Sequence, residues 1–212
     1  MKTIALLFLS TTLTLAACKK TADRAVPGAA PPSSERKPTP AADADRVEVL
    51  ARHLPAAGKE DLESDPVVVH FDKLAVTRAS FNPANLEGGT ATIELDPTSI
   101  KTGSDERDSD LKSPEFLDVA TFATITIDVA NVKKQAETTY TADATVACHG
   151  VTKTYPITFE VLATTADTVR IKGEHEFSRL DFAIGVDPAK DPTERIDTRL
   201  IIQWTLTLRR NH

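Results

Sequence analysis

From Leu200 to Leu208 every second residue is apolar: Leu200, Ile202, Trp204, Leu206 and Leu208 share one face, while Gln203, Thr205 and Thr207 take the other. A period of two marks a β-strand buried on one side, because successive side chains of an extended chain point to opposite faces. The same split recurs upstream. Val169, Ile171, Gly173, His175 and Phe177 alternate with Arg170, Lys172, Glu174 and Glu176. Tyr155, Ile157, Phe159 and Val161 form a third apolar row, and Tyr140, Ala142, Ala144, Val146 and Cys148 a fourth, with Thr141, Asp143 and Thr145 outward. Shorter runs at 90–96, 124–129 (with Ile125 and Ile127 inward) and 66–76 predict further strands, and Arg46–His53 reads as a strand or a short helix.

Glu87-Gly88-Gly89, Asn82-Pro83 and His149-Gly150 supply the reversals between these runs. One stretch, 104–111, reads as helical, with Ser104 as its N-cap, acids in its first turn and Pro114 as its stop. Seven or eight amphipathic strands at hairpin spacing must hide their edges and bury one apolar face. The economical architectures are a closed up-and-down barrel or a sandwich. A barrel of about eight strands either fills its interior or holds one small ligand.

The N-terminus carries a different kind of signal. Lys2 precedes an apolar run from Ile4 to Leu15, which ends in Leu15-Ala16-Ala17-Cys18. The run is too short and wrongly flanked for a permanent transmembrane helix, which favours a removable export signal over residues 1–17. It resembles a bacterial lipoprotein signal. That resemblance implies cleavage before Cys18, a diacylglyceryl group on its sulfur and a fatty acid, such as palmitate, on the new amine. Lys19 and Lys20 follow where the inner-membrane retention signal would place aspartate, so the expected location is the outer membrane, facing the periplasm. Residues 18–45 hold five prolines and many alanines without apolar periodicity, the composition of an extended tether. A folded domain then occupies 46–212.

That domain has 19 basic against 27 acidic residues. With no basic run it is a poor match for nucleic acid, whose binding depends on cations displacing counterions from phosphates. Once Cys18 is acylated, Cys148 has no intrachain partner and reads as a small buried apolar residue. Catalytic patterns are missing as well. Cys148 and His149 are adjacent on a strand and so face opposite sides, and His70, His149 and His175 lack companions at metal-site spacing. The expectation is a non-enzyme without metal or cofactor.

Three segments, taken together, are similar to the YceI-like family. They are Ser99-Ile100-Lys101-Thr102-Gly103 with Arg107-Asp108-Ser109-Asp110-Leu111-Lys112-Ser113-Pro114-Glu115-Phe116-Leu117-Asp118-Val119, then Cys148-His149-Gly150-Val151-Thr152-Lys153, and Phe177-Ser178-Arg179-Leu180-Asp181-Phe182-Ala183-Ile184-Gly185. Asp110 stands where the family pattern usually has histidine. The resemblance implies an exported, lipocalin-like closed barrel of about eight antiparallel strands that binds a polyisoprenoid or other long-chain lipid. The inward rows then become the candidate ligand wall: Ile125, Ile127, Ala142, Ala144, Val146, Tyr155, Ile157, Phe159, Val161, Val169, Ile171, His175, Phe177, Leu200, Ile202, Trp204 and Leu206. Tyr155 and Trp204 would add polar tips. Arg107, Asp108, Leu111 and Phe116 are expected at a lid or mouth, with Arg107 and Asp108 bracing neighbouring turns, and Arg179 and Asp181 are expected to form a local pair. A filled barrel serving as an interaction module, with a second copy or another envelope protein as partner, is the alternative.

Overall fold

The computed structural model describes residues 44–55, 65–191 and 193–210. The export signal, Cys18 and nearly all of the tether lie outside the described residues. Among these residues ten strands form one antiparallel sheet: β1 (Arg46–His53), β2 (Val67–Phe71), β3 (Leu74–Asn82), β4 (Asn85–Leu95), β5 (Ile100–Lys101), β6 (Ile125–Lys134), β7 (Thr139–Cys148), β8 (Val151–Thr164), β9 (Thr168–Ser178) and β10 (Ile196–Arg209). They lie in the order β3-β4-β6-β7-β8-β9-β10-β1-β2-β5, curled into a half-barrel. Among the described residues there are also one short helix, α1 (Asp105–Lys112), and two 3-10 turns at Pro97–Ser99 and Arg179–Phe182.

The described residues form ten strands where about eight were expected, because the expected strand 66–76 is broken by a bend and a short extra strand follows the expected run at 90–96. The stretch 66–76 spans two strands that meet at Asp72-Lys73, and β4 is parted from β5 by the Pro97–Ser99 turn. Backbone bonds hold the bends side by side: Asp72 N–H donates to the Ser99 carbonyl at 3.2 Å, and Asp96 N–H to the Lys73 carbonyl at 3.1 Å. β3 pairs with β4 and β2 with β5, so one bent hairpin supplies both ends of the ladder. Asp96 caps the turn by accepting from Thr98 N–H at 2.8 Å.

β1 is a strand, in register with β10 from Arg46↔Thr205 to His53↔Ile196, and this pairing settles the strand-or-helix ambiguity. β6 outruns its expected end at residue 129. Asn131 adopts φ 55° at a bulge, which shifts the inward set from Ile127 and Val129 to Val132. The reversal before β4 is at Pro83-Ala84, and Glu87-Gly88-Gly89 lies inside β4. His149 and Gly150, both at positive φ, make the expected two-residue turn between β7 and β8. α1 is capped by Ser104, which accepts from Arg107 N–H at 3.4 Å.

Candidate functional site

The inward faces of the strands surround a cavity of about 510 Å³. Its wall is apolar because alternate residues of neighbouring strands fall in register: Trp204 of β10 lies beside Val47 of β1 and Gly173 of β9, and Ile202 beside Val49 and His175. Of the expected wall, Ile125, Ile127, Ala144, Val146, Tyr155, Ile157, Phe159, Ile171, His175, Phe177, Leu200, Ile202, Trp204 and Leu206 line it. Ala142, Val161 and Val169 do not. Ala142 is a single methyl opposite Ile157, and Val161 and Val169 lie past Phe159 toward the β8–β9 turn. There the Tyr140 and Phe159 rings of paired strands stack at 5.7 Å and Val169 is fully buried, while Leu208 beside it on β10 faces the cavity.

Three of the four residues expected at a lid or mouth come together beside the cavity. Arg107 and Leu111 of α1 line the cavity with Phe116, joined by Glu106 and Asp110. Asp108 is a correction to that group: it turns away from the cavity and is buried. Its Oδ1 accepts from Thr102 N–H at 2.8 Å and from Thr102 Oγ1 at 2.7 Å, and its Oδ2 lies 3.4 Å from Lys101 Nζ. It therefore braces the turn beneath α1, as expected. Burial pushes its carboxyl up, but the Thr102 donors and the Lys101 ammonium outweigh this and hold it below the ordinary value. Asp108→Ala is expected to destabilise the domain by about 1–3 kcal/mol at neutral pH, by leaving the Thr102 donors without an acceptor. A depressed carboxyl stabilises the fold above its unfolded value, near 4 by the usual aspartate range, and that contribution fades as pH falls through the lower folded value. Urea unfolding at pH 7 and pH 3 should show the gap between native and variant shrinking in acid.

Arg179 and Asp181 do not pair with each other. Arg179 is 2 % exposed and donates to the carbonyls of Asp197 (3.1 Å), Ile184 (2.8 Å), Val186 (2.7 Å) and Ile196 (2.9 Å). Asp181 instead accepts from the Tyr155 hydroxyl at 2.9 Å. Tyr155 thus spends its polar tip inside the protein, and burial, with Asp181 adding to it, raises its hydroxyl well above the ordinary tyrosine value. Trp204 lies across Gly173. Cys148 also lines the cavity, where burial pushes its thiol up to about 11 and keeps it protonated. His149 points elsewhere, its Nδ1 3.0 Å from the Phe182 carbonyl. Among the described residues no cluster of histidine, cysteine and carboxylate groups has metal-binding geometry.

The sequence rows missed the other half of the wall. Val47, Val49, Val69, Phe71, Leu86, Ile93, Leu95 and Phe182 also line the cavity. The alternation of Val47, Val49 and Ala51 was a usable signal. The bulges of β3 and the bends of the hairpin erase any such signal in the strands that follow.

Solved structures share this architecture. The chain resembles BcnA of Burkholderia cenocepacia (TM-score 0.65, 18% identity, 77% of this chain and 96% of that one). It also resembles a YceI protein of Campylobacter jejuni (0.62, 14%, 71% and 89%) and a polyisoprenoid binding domain of Saccharophagus degradans implicated in plant cell wall breakdown (0.57, 16%, 79% and 94%). UPF0312 proteins of Ectopseudomonas mendocina and Yersinia enterocolitica are 34% and 36% identical over 74 and 81 residues, which are 35% and 38% of this chain. The matches span 39% and 41% of the length of those relatives. The model of the YceI-like domain matches residues 43–208. With that match covering most of the chain, this protein belongs to the YceI-like family.

Proposed function

We propose that this protein is a membrane-tethered carrier or reservoir that holds one long-chain amphiphile in the cavity, with Cys18 as the lipidated anchor at the outer membrane and residues 18–45 as the leash. In this reading the bent hairpin carries the wall round to itself, so that eight long strands follow one another in a closed barrel. The observation that carries the proposal is an apolar cavity of about 510 Å³, within the size range of small-molecule sites. The alternative of a filled scaffold calls for a solid interior. A polyisoprenoid ligand, as in the domain of Saccharophagus degradans, fits the chemistry of this wall. At about 0.8 kcal/mol per methylene, ten buried methylenes supply roughly 8 kcal/mol before the costs of association.

Delipidated protein should take up a fluorescent long-chain alcohol saturably and one to one. Ala144→Phe, which puts a ring into the cavity from the middle of β7, is expected to reduce that uptake at least tenfold while the protein still melts cooperatively. Absence of saturable uptake by the native chain would overturn the proposal. Mass spectrometry of lipids extracted from protein purified out of native membranes identifies the ligand.

A further inference from the structure

Between β8 and β9 the wall is laddered along only part of its length. β8 and β9 pair from Thr164↔Val169 to Phe159↔Gly173 and then stop, although β8 continues back to Val151 and β9 forward to Ser178. A proline falls in the unpaired half. Counting from the His149-Gly150 turn, Asp143↔Pro156 is a pair without mutual hydrogen bonds, so the Pro156 nitrogen faces the seam, where it has no N–H to offer a neighbour. Side chains bridge the gap in place of the ladder. Tyr155 of β8 donates to Asp181 beyond β9 at 2.9 Å, and the Tyr155 ring lies 5.3 Å from His175, 6.3 Å from Phe177 and 6.2 Å from Phe182. One side-chain hydrogen bond and aromatic contacts part more readily than a run of paired backbone.

His175 sits in this seam, half-buried and facing the cavity. Among the described residues its ring nitrogens have no hydrogen-bond partner. The surrounding charges select against an anion. Arg179 is committed to four carbonyls and Lys172 to Glu160 at 3.0 Å, the cavity-lining Arg52 and Arg107 are equalled in number by Glu106 and Asp110, and Asp181 sets a carboxylate in the seam itself, 2.9 Å from the Tyr155 hydroxyl.

The geometry points to this seam as a lateral port that holds the polar end of the ligand: an uncharged hydrogen-bonding group, such as a hydroxyl or an amide, meets His175 while the chain fills the cavity. The inference rests on the carrier reading above and adds to it where the head lies and which charge it carries. It makes the ligand of this chain a neutral amphiphile, and it makes the gap between β8 and β9 the route of exchange.

Two fluorescent sixteen-carbon probes, identical except for a terminal alcohol or a terminal phosphate, separate the possibilities. The alcohol should bind at least tenfold more tightly than the phosphate. His175→Leu should weaken the alcohol about tenfold and leave a headless hydrocarbon probe unchanged, whereas His175→Gln, which keeps a hydrogen-bonding side chain, should stay within about threefold. Tyr155→Phe, which releases Asp181, should speed uptake and release of the alcohol at least fivefold in stopped flow. Near-ultraviolet circular dichroism on each variant verifies the fold. Tighter binding of the phosphate, or an alcohol affinity indifferent to His175→Leu, overturns the port while the carrier reading stands. Failure of every probe to bind overturns both.

Discussion

Replacing Arg179 with methionine is expected to destabilise the domain by about 3–5 kcal/mol, the usual consequence of removing one partner from a buried charged network. For a domain of this size that lowers Tm by roughly 10 °C. The guanidinium is 2 % exposed, and its donors reach four backbone carbonyls, on Ile184 and Val186 after the second 3-10 turn and on Ile196 and Asp197 at the start of β10. Glu194 Oε2, 3.9 Å away, balances the charge. Methionine fills the volume but leaves those carbonyls without the guanidinium donors and Glu194 without its balancing charge. Arg179→Lys is expected to recover little, because an ammonium lacks the planar fork that serves four acceptors at once. Thermal and urea unfolding measure both variants. A loss below 1 kcal/mol for methionine would mean that water replaces the guanidinium, and that the loop it organises is not built around it.

Gly173→Ala is expected to destabilise by about 1–3 kcal/mol, as added volume in a packed site does, and to reduce ligand capacity as well. A Cβ at this position would fall 2.3 Å from Cζ2 of Trp204 and 2.7 Å from the Thr158 carbonyl oxygen. The indole can swing away only into the cavity, so one methyl both strains the wall and occupies the lumen. The carbonyl belongs to the neighbouring backbone and cannot yield cheaply. Trp204 emission should shift, and uptake of the alcohol probe should fall. Adding Trp204→Leu should restore part of the stability, since the contact with Thr158 remains. An alanine variant with native stability and an unmoved emission maximum would show that β8 and β9 separate freely there, which would itself favour an easily opened seam.

Much of the wall was legible because β7 to β10 are long and half-buried. Leu200, Ile202, Trp204 and Leu206 alternate without interruption, and the structure keeps their register along the whole of β9. The same simplicity misled at the β8–β9 turn. Val161 and Val169 continue their rows, yet period two does not reveal that Phe159, stacked on its cross-strand neighbour Tyr140, faces the cavity while Val161 and Val169 do not. Bulges hid the rest, for one extra residue at Asn131 inverts the inward set of β6, and related irregularities interrupt β3. Arg179 and Asp181, two residues apart and opposite in charge, read naturally as a pair. Their partners, four carbonyls and a tyrosine on another strand, are contacts that only the assembled fold brings within reach.

By itself the sequence determined the all-β class, the inward rows of the last strands, the Ser104 cap and the His149-Gly150 turn, because each rests on local geometry that neighbouring residues dictate. Only the tertiary structure decided that the interior is hollow, that the hairpin bends at Asp72 and Pro97 to feed both ends of the sheet, and that β8 and β9 part below Phe159. Those outcomes depend on how side chains of distant strands fill the space between them, and alternation along one strand cannot encode a volume enclosed by many.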